Sequence, residues 1–127
     1  MNKRMLYVSI FFFLMVLISG CSRSSPTSTA KSFYNALNAG SYEKAMLLVS
    51  KNAVNLFGID KLQMAFKSYA DDFKNKGGIQ SMEFGKETIL GDKAVVEYHM
   101  KLGDGTNLDG SLKLVKEDNQ WKIDVGK

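Results

Sequence analysis

Ala94-Val95-Val96-Glu97-Tyr98-His99-Met100-Lys101-Leu102 is the stretch that decides the fold. Ala94, Val96, Tyr98, Met100 and Leu102 share one phase; Val95, Glu97, His99 and Lys101 share the other. That period of two marks a strand with one buried and one wetter face. Gly91-Asp92 before it and Gly103-Asp104-Gly105 after it are turn signals. Downstream, Leu108, Gly110, Leu112 and Leu114 alternate with Asp109, Ser111 and Lys113. Lys116-Glu117-Asp118-Asn119 turns the chain, and Trp121, Ile123 and Val125 then alternate with Gln120, Lys122 and Asp124. Upstream, Ile79 to Leu90 alternates weakly. Short links between four consecutive strands predict an antiparallel meander.

Before Gly77-Gly78 the period is that of a helix. Leu62, Ala65, Phe66, Tyr69, Ala70 and Phe73 line one face of a long segment, with Lys67, Asp71 and Lys74 on the other. Asp60 with Gln63 resembles a capping box at its start. A helix from Ala30 through Leu37 is predicted by Ala30, Phe33, Tyr34 and Leu37, and Asn38-Ala39-Gly40 closes it. Ser41 suits the N-cap of a shorter helix carrying Tyr42, Ala45, Met46 and Val49. Residues 50–58 read as a connection. Helices followed by strands give an α+β chain. Its 127 residues are length for one domain.

The N-terminus reads as an address. Asn2-Lys3-Arg4 is a short positive region, and Met5 to Ile18 is apolar apart from Tyr7 and Ser9. A helix of that length spans about 21 Å, short of the ~30 Å hydrocarbon core and suited to a signal peptide. Leu17-Ile18-Ser19-Gly20-Cys21 follows. This box resembles that of bacterial lipoproteins, position by position over Ile18, Ser19, Gly20 and Cys21. The resemblance implies cleavage between Gly20 and Cys21, a diacylglyceryl group on the Cys21 thiol and an acyl group on its amine. A plain secretory signal or a short membrane anchor is the alternative. The expected organisation is a signal peptide over 1–20, lipidated Cys21 with a Ser/Thr-rich tether over 21–29, and a folded domain over 30–127. Ser22 is not the Asp that resembles an inner-membrane retention signal, so outer-membrane delivery is expected in a cell that has one.

Composition removes several functions. A single Cys allows no intrachain disulfide, and with a single His it allows no zinc site of the usual Cys/His type. Neither GxxxxGK[ST] nor GxGxxG is present. The net charge of +4 falls when Lys3 and Arg4 leave with residues 1–20, to 15 basic against 13 acidic side chains. No nucleic-acid partner is expected from so small a surplus. The loop Gly103 to Gly110 lacks the spacing and the Glu of a calcium loop, and neither metal nor cofactor is expected.

The order of elements resembles the nuclear-transport-factor-2-like, or cystatin-like, superfold, in which a curved sheet wraps a long helix as a cone. The wording of Ala30 to Ala45, Gly91 to Val96 and Leu112 to Asp124 is similar to uncharacterised bacterial lipoproteins of a class once labelled lumazine-binding. The resemblance implies an interior pocket. Tyr34, Tyr42, Tyr69, Tyr98 and Trp121, on inward phases, are candidates to line it or to fill the core. Ketosteroid-isomerase-like members of the superfold use an inward acidic base. Here Glu97, His99, Asp109 and Asp124 all take the outward phase and are expected to be exposed, with no two converging on a cavity. The expected function is therefore a non-catalytic binding or accessory module on the envelope, tethered to the membrane and meeting a protein partner or a small apolar ligand. The alternative is a small enzyme or carrier using the cone.

Overall fold

The computed structural model describes residues 24–125. Four helices precede four strands: α1 (Pro26–Asn38), α2 (Tyr42–Leu47), α3 (Lys51–Phe57) and α4 (Ile59–Asn75), then β1 (Ile79–Leu90), β2 (Lys93–Leu102), β3 (Asn107–Glu117) and β4 (Gln120–Ile123). The strands form one antiparallel sheet in the order β1-β2-β3-β4. The expected α+β class, with helices on a four-stranded antiparallel sheet, is the observed one.

Three details differ from the expectation. The first helix starts at Pro26, not Ala30, so part of the stretch read as a tether is helical. Ser25 caps it, accepting from the Ser28 amide while Ser28 answers through its own hydroxyl. Pro26 and Thr29 are buried, and Thr29 Oγ1 donates to the Trp121 carbonyl. Second, residues 50–58 hold α3, whose buried N-cap Ser50 accepts from Ala53 N. Third, α4 has no side-chain cap; Gly58 precedes it, and Asp60 lies within its first turn.

β1 alternates weakly because it is bulged. Phe84 faces Tyr98 and Glu87 faces Val96, so Gly85 and Lys86 together oppose Glu97. Before the bulge Met82 and Phe84 point inward; after it Glu87 and Ile89 take the inner phase. The carboxylate of Glu87 accepts from both the amide and the hydroxyl of Thr27, at the positive end of the α1 dipole.

The buried face of the sheet, Ala94, Val96, Met100, Leu102, Leu114, Trp121 and Ile123, packs on Phe33, Tyr34 and Leu37 of α1. α4 packs chiefly on the other helices, through Leu62, Phe66, Ala70 and Phe73. Its hold on the sheet is at its C-terminal end, where Gly77 and Gly103 meet backbone to backbone. A Cβ on Gly103 would lie 2.5 Å from the Gly77 carbonyl oxygen. Gly103 N donates to Gly78 O, and Asp104 N to Lys76 O. At the β4 edge of the sheet, Val49 forms a parallel bridge to Ile123.

A chain starting at Ser24 is expected to fold cooperatively on its own. One starting at Ala30 loses the Ser25 cap, the Glu87–Thr27 bonds and buried Pro26, and should be at least about 2 kcal/mol less stable. Urea unfolding of the two chains checks this.

Candidate functional site

Because α4 stands off the sheet, a cavity of about 410 Å³ remains between them. α1 supplies Phe33 and Tyr34, α4 supplies Phe66, Tyr69 and Phe73, and the sheet supplies Tyr98 and Met100. Three of the five aromatic candidates therefore line it: Tyr34, Tyr69 and Tyr98. Tyr42 is half-buried against the core, and Trp121 is buried at 7% exposure beneath Lys116, whose Nζ lies 5.8 Å from the ring centroid. Neither lines the cavity. Tyr69 is 57% exposed and sits at the mouth, not in the core, because it occupies the flank of the α4 apolar stripe. Ala65, on the same flank, is exposed as well.

Tyr98 reaches the cavity because of what lies opposite. Its register partner on β3 is Gly110. A Cβ there would lie 2.6 Å from Tyr98 Oη and 2.8 Å from Cζ. The ring instead leans across to Tyr34, with centroids 5.1 Å apart and planes tilted by 55°. Tyr34 also packs edge-on to Phe33, and Phe33 edge-on to Phe66. Burial, and then the adjacent Tyr98 hydroxyl, hold the Tyr34 phenol well above its ordinary range. It is a neutral hydroxyl throughout the physiological pH range.

The charged groups of the lining are Asp72 and Lys76, which pair with each other at 3.3 Å, one turn apart on α4. None of Glu97, Asp109 and Asp124 lines the cavity. The one acid of this lining, Asp72, is tied to Lys76, so a free carboxylate inside the cone, as ketosteroid-isomerase chemistry requires, is not found among the described residues of the lining.

The outer face of the sheet corrects one expectation. His99 and Asp109 converge: the β2–β3 register sets them opposite, and the His99 ring Nδ1 bonds an Asp109 carboxylate oxygen. Glu83 faces His99 from the other side. With Glu97 and Ser111 these residues line an open groove of about 520 Å³. Glu97, His99 and Asp109 are exposed, as their phase predicts. The imidazole has an orienting carboxylate, but no hydrogen bond joins it to Ser111 among the described residues. A general base also needs a site that excludes bulk water, which an open groove does not supply. The length of the Gly103–Thr106 turn fixes this pairing, and alternation within each strand cannot reveal it. Asp124 departs from the expectation in the other direction. It is half-buried just past the last ladder pair of β4, with one carboxylate oxygen out of contact with solvent and unpartnered.

Gly20 and Cys21, with the rest of the N-terminal address, lie outside the described residues. No helix among the described residues is long and apolar enough to cross a membrane.

Residues 19–124 match the family model of a domain of unknown function, DUF4878. No curated protein matches the chain. Among solved structures, the chain is similar to a Campylobacter jejuni protein described as a "Putative NTF2-like transpeptidase", with a TM-score of 0.72 and 22% identity over 81% of this chain and all of that one. A SEC-C motif containing protein from Rhodopseudomonas palustris superposes with a TM-score of 0.61 at 15% identity, covering 87% of this chain and 84% of that one. A cystatin fold protein from Novosphingobium aromaticivorans superposes with a TM-score of 0.50 at 13% identity, covering 82% and 99%. At these identities the likeness shows the fold: NTF2-like, or cystatin-like.

Gly110→Ala is expected to cost about 1–3 kcal/mol, because its methyl group must displace the Tyr98 ring. Ser111→Ala, next along on the exposed phase, should stay within about 0.5 kcal/mol of the parent. Denaturant midpoints at constant slope distinguish the two.

Proposed function

The chain belongs to the DUF4878 family, and on that premise we propose that it is a lipid-anchored bacterial envelope protein. Its NTF2-like domain then serves as a non-catalytic binding module for a small, uncharged, largely apolar molecule. The cavity carries this reading. It is walled by aromatic and aliphatic side chains, and its one acid and one amine pair with each other. The neutral Tyr34 hydroxyl and its neighbour Tyr98 are the polar points available to orient a ligand. An anionic or cationic ligand would find no unpaired countercharge in this lining, and desolvating it would be costly.

Anchoring is supported by sequence. The positive n-region, the short apolar run and Ile18-Ser19-Gly20-Cys21 agree with one another. Cys21 lies four positions before the N-cap of α1, and the family match already covers it. A diacylglyceryl group plus an amide-linked chain would hold the protein durably, at about 0.8 kcal/mol per buried CH₂. Outer-membrane delivery in a cell with two membranes follows from Ser22.

The enzyme reading has less support. Transpeptidation, which the name of the Campylobacter protein carries, is an acyl transfer that needs a nucleophile. The cavity lining contains no Ser, Thr, Cys or His. The outer groove holds His99 and Ser111, but without a bond between them and without enclosure.

The uncharged fluorescent probe N-phenylnaphthylamine, titrated into the chain starting at Ser24, should bind saturably at one site with brightened, blue-shifted emission. Leu112→Trp, which fills the cavity from the sheet side, should abolish that signal; an unchanged signal sinks the cavity reading. For the anchor, the membrane-extracted protein should yield an N-terminal peptide that begins at Cys21 and carries the mass of the lipid. Cys21→Ala should leave the precursor unprocessed.

A further inference from the structure

The chain enters the domain at one corner of the sheet. Trp121 N donates to Ser24 Oγ, so the first described residue is tied to β4. Trp121 faces Lys116 across the ladder, and Lys116 N donates to Asp92 O in the β1–β2 turn. Thr27 is bonded to Glu87, three residues before the end of β1. Ser24, the start of α1 and the β1–β2 hairpin tip therefore share one end of the molecule.

That tip is apolar and uncovered. Leu90 is 77% exposed and Ile89 49% exposed. Successive strand residues point to opposite faces, so apolar surface shows on both sides of the tip. Ile89 is on the inner phase, opposite buried Ala94, yet α1 begins too late to cover it. The turn is Gly91-Asp92, with Gly91 at φ 60°, the two-residue form that has glycine first. It adds no bulk beyond the two side chains. Lys93, directly opposite Leu90, and Lys116 form no ion pair among the described residues. Of the carboxylates nearby, Glu87 is engaged with Thr27, Glu117 with Lys51 N and Asp118 with Lys51 Nζ, while Asp92 in the turn itself is exposed and sits between the two lysines and Leu90 in sequence and ladder.

We propose that the β1–β2 hairpin tip rests on the phospholipid surface, with Ile89 and Leu90 in the headgroup–acyl boundary and Lys93 and Lys116 against headgroup phosphates. This rests on the lipid anchor at Cys21. Cys21 stands four positions before Ser25, and a fully extended chain of that length reaches at most about 14 Å. A domain held so close must present the end that carries Ser24 to the bilayer, and that end carries the exposed apolar pair. Apolar side chains with flanking lysines are the chemistry of an interfacial contact. The docked domain would keep the outer groove and the Gly103–Thr106 turn away from the membrane.

The test uses the full chain, processed in its host and reconstituted into vesicles of phosphatidylethanolamine and phosphatidylglycerol. Lipidation consumes the only native thiol, so Leu90→Cys and Ser81→Cys each provide one labelling site for an environment-sensitive fluorophore. Ser81 is exposed near the opposite end of β1. The label at position 90 is expected to shift to the blue and to be quenched by lipids carrying a nitroxide near the headgroup. The label at position 81 should keep its aqueous emission. Flotation and the mass of the Cys21 peptide are read on the same samples. If the protein floats with lipidated Cys21 while both labels remain aqueous, the docking proposal is overturned and the anchor stands. If Cys21 is unmodified and the protein does not float, the anchor fails and the docking fails with it. Dual substitution of Lys93 and Lys116 by Gln should weaken quenching at position 90 in anionic vesicles without affecting flotation.

Discussion

The close approach of Gly77 to Gly103 determines where the long helix meets the sheet. Neither position has room for a Cβ, and the backbone bonds Gly103–Gly78 and Asp104–Lys76 close around the contact. The C-terminal end of α4 is thus fixed to the β2–β3 turn, while its remaining length packs on α1, α2 and α3. α1 takes the direct contact with the sheet through Phe33, Tyr34 and Leu37. A helix pinned at one end and held off the strands by another helix leaves space, and here the space is lined by rings. The cavity is a product of this geometry and of Gly110, which lets Tyr98 tilt toward Tyr34.

Much of this was legible in the residues. The alternation of Ala94 to Leu102 and of Leu108 to Leu114 survives in the burial of β2 and β3 because both are central strands with one covered face. Turn residues gave the strand ends almost to the residue. What escaped has physical reasons. α3 has seven residues, too few to display a helical period, and its sign was the N-cap Ser50. The start of α1 was hidden because its first turn, Pro26-Thr27-Ser28-Thr29, has no large apolar side chain to show a helical period, although Pro26 and Thr29 are buried. Asp60 and Gln63 have the spacing of a capping box, but the N-cap position falls two residues earlier, at Gly58, and the pattern falls out of step.

The candidate site was only partly readable. Inward phase identified Tyr34 and Tyr98, but it could not separate residues lining a void from residues filling a core, as Trp121 shows. That distinction depends on how far α4 stands from the sheet, which is a property of the glycine contact and the connecting helices. Likewise, phase placed His99 and Asp109 on the outer face, but their pairing depends on register. Local alternation carries information about faces; register and layer spacing arise between segments distant in sequence.

The bulge at Gly85 and Lys86 has a consequence for how this chain can change in length. On the near side of it the core takes Met82 and Phe84; on the far side the inner phase holds Glu87, whose carboxylate caps α1. Losing one residue there would join both halves of β1 in a single register. Then either the two core side chains turn to solvent or the carboxylate leaves the helix. Duplicating a residue there would have a similar effect. The Gly91-Asp92 and Gly103–Thr106 turns carry no such double duty on face, although the second is bound by its glycine contact. The least costly place for this sheet to accept an insertion is therefore a hairpin end, and the most costly is the middle of its own edge strand, where one surplus residue keeps two packing contracts at once.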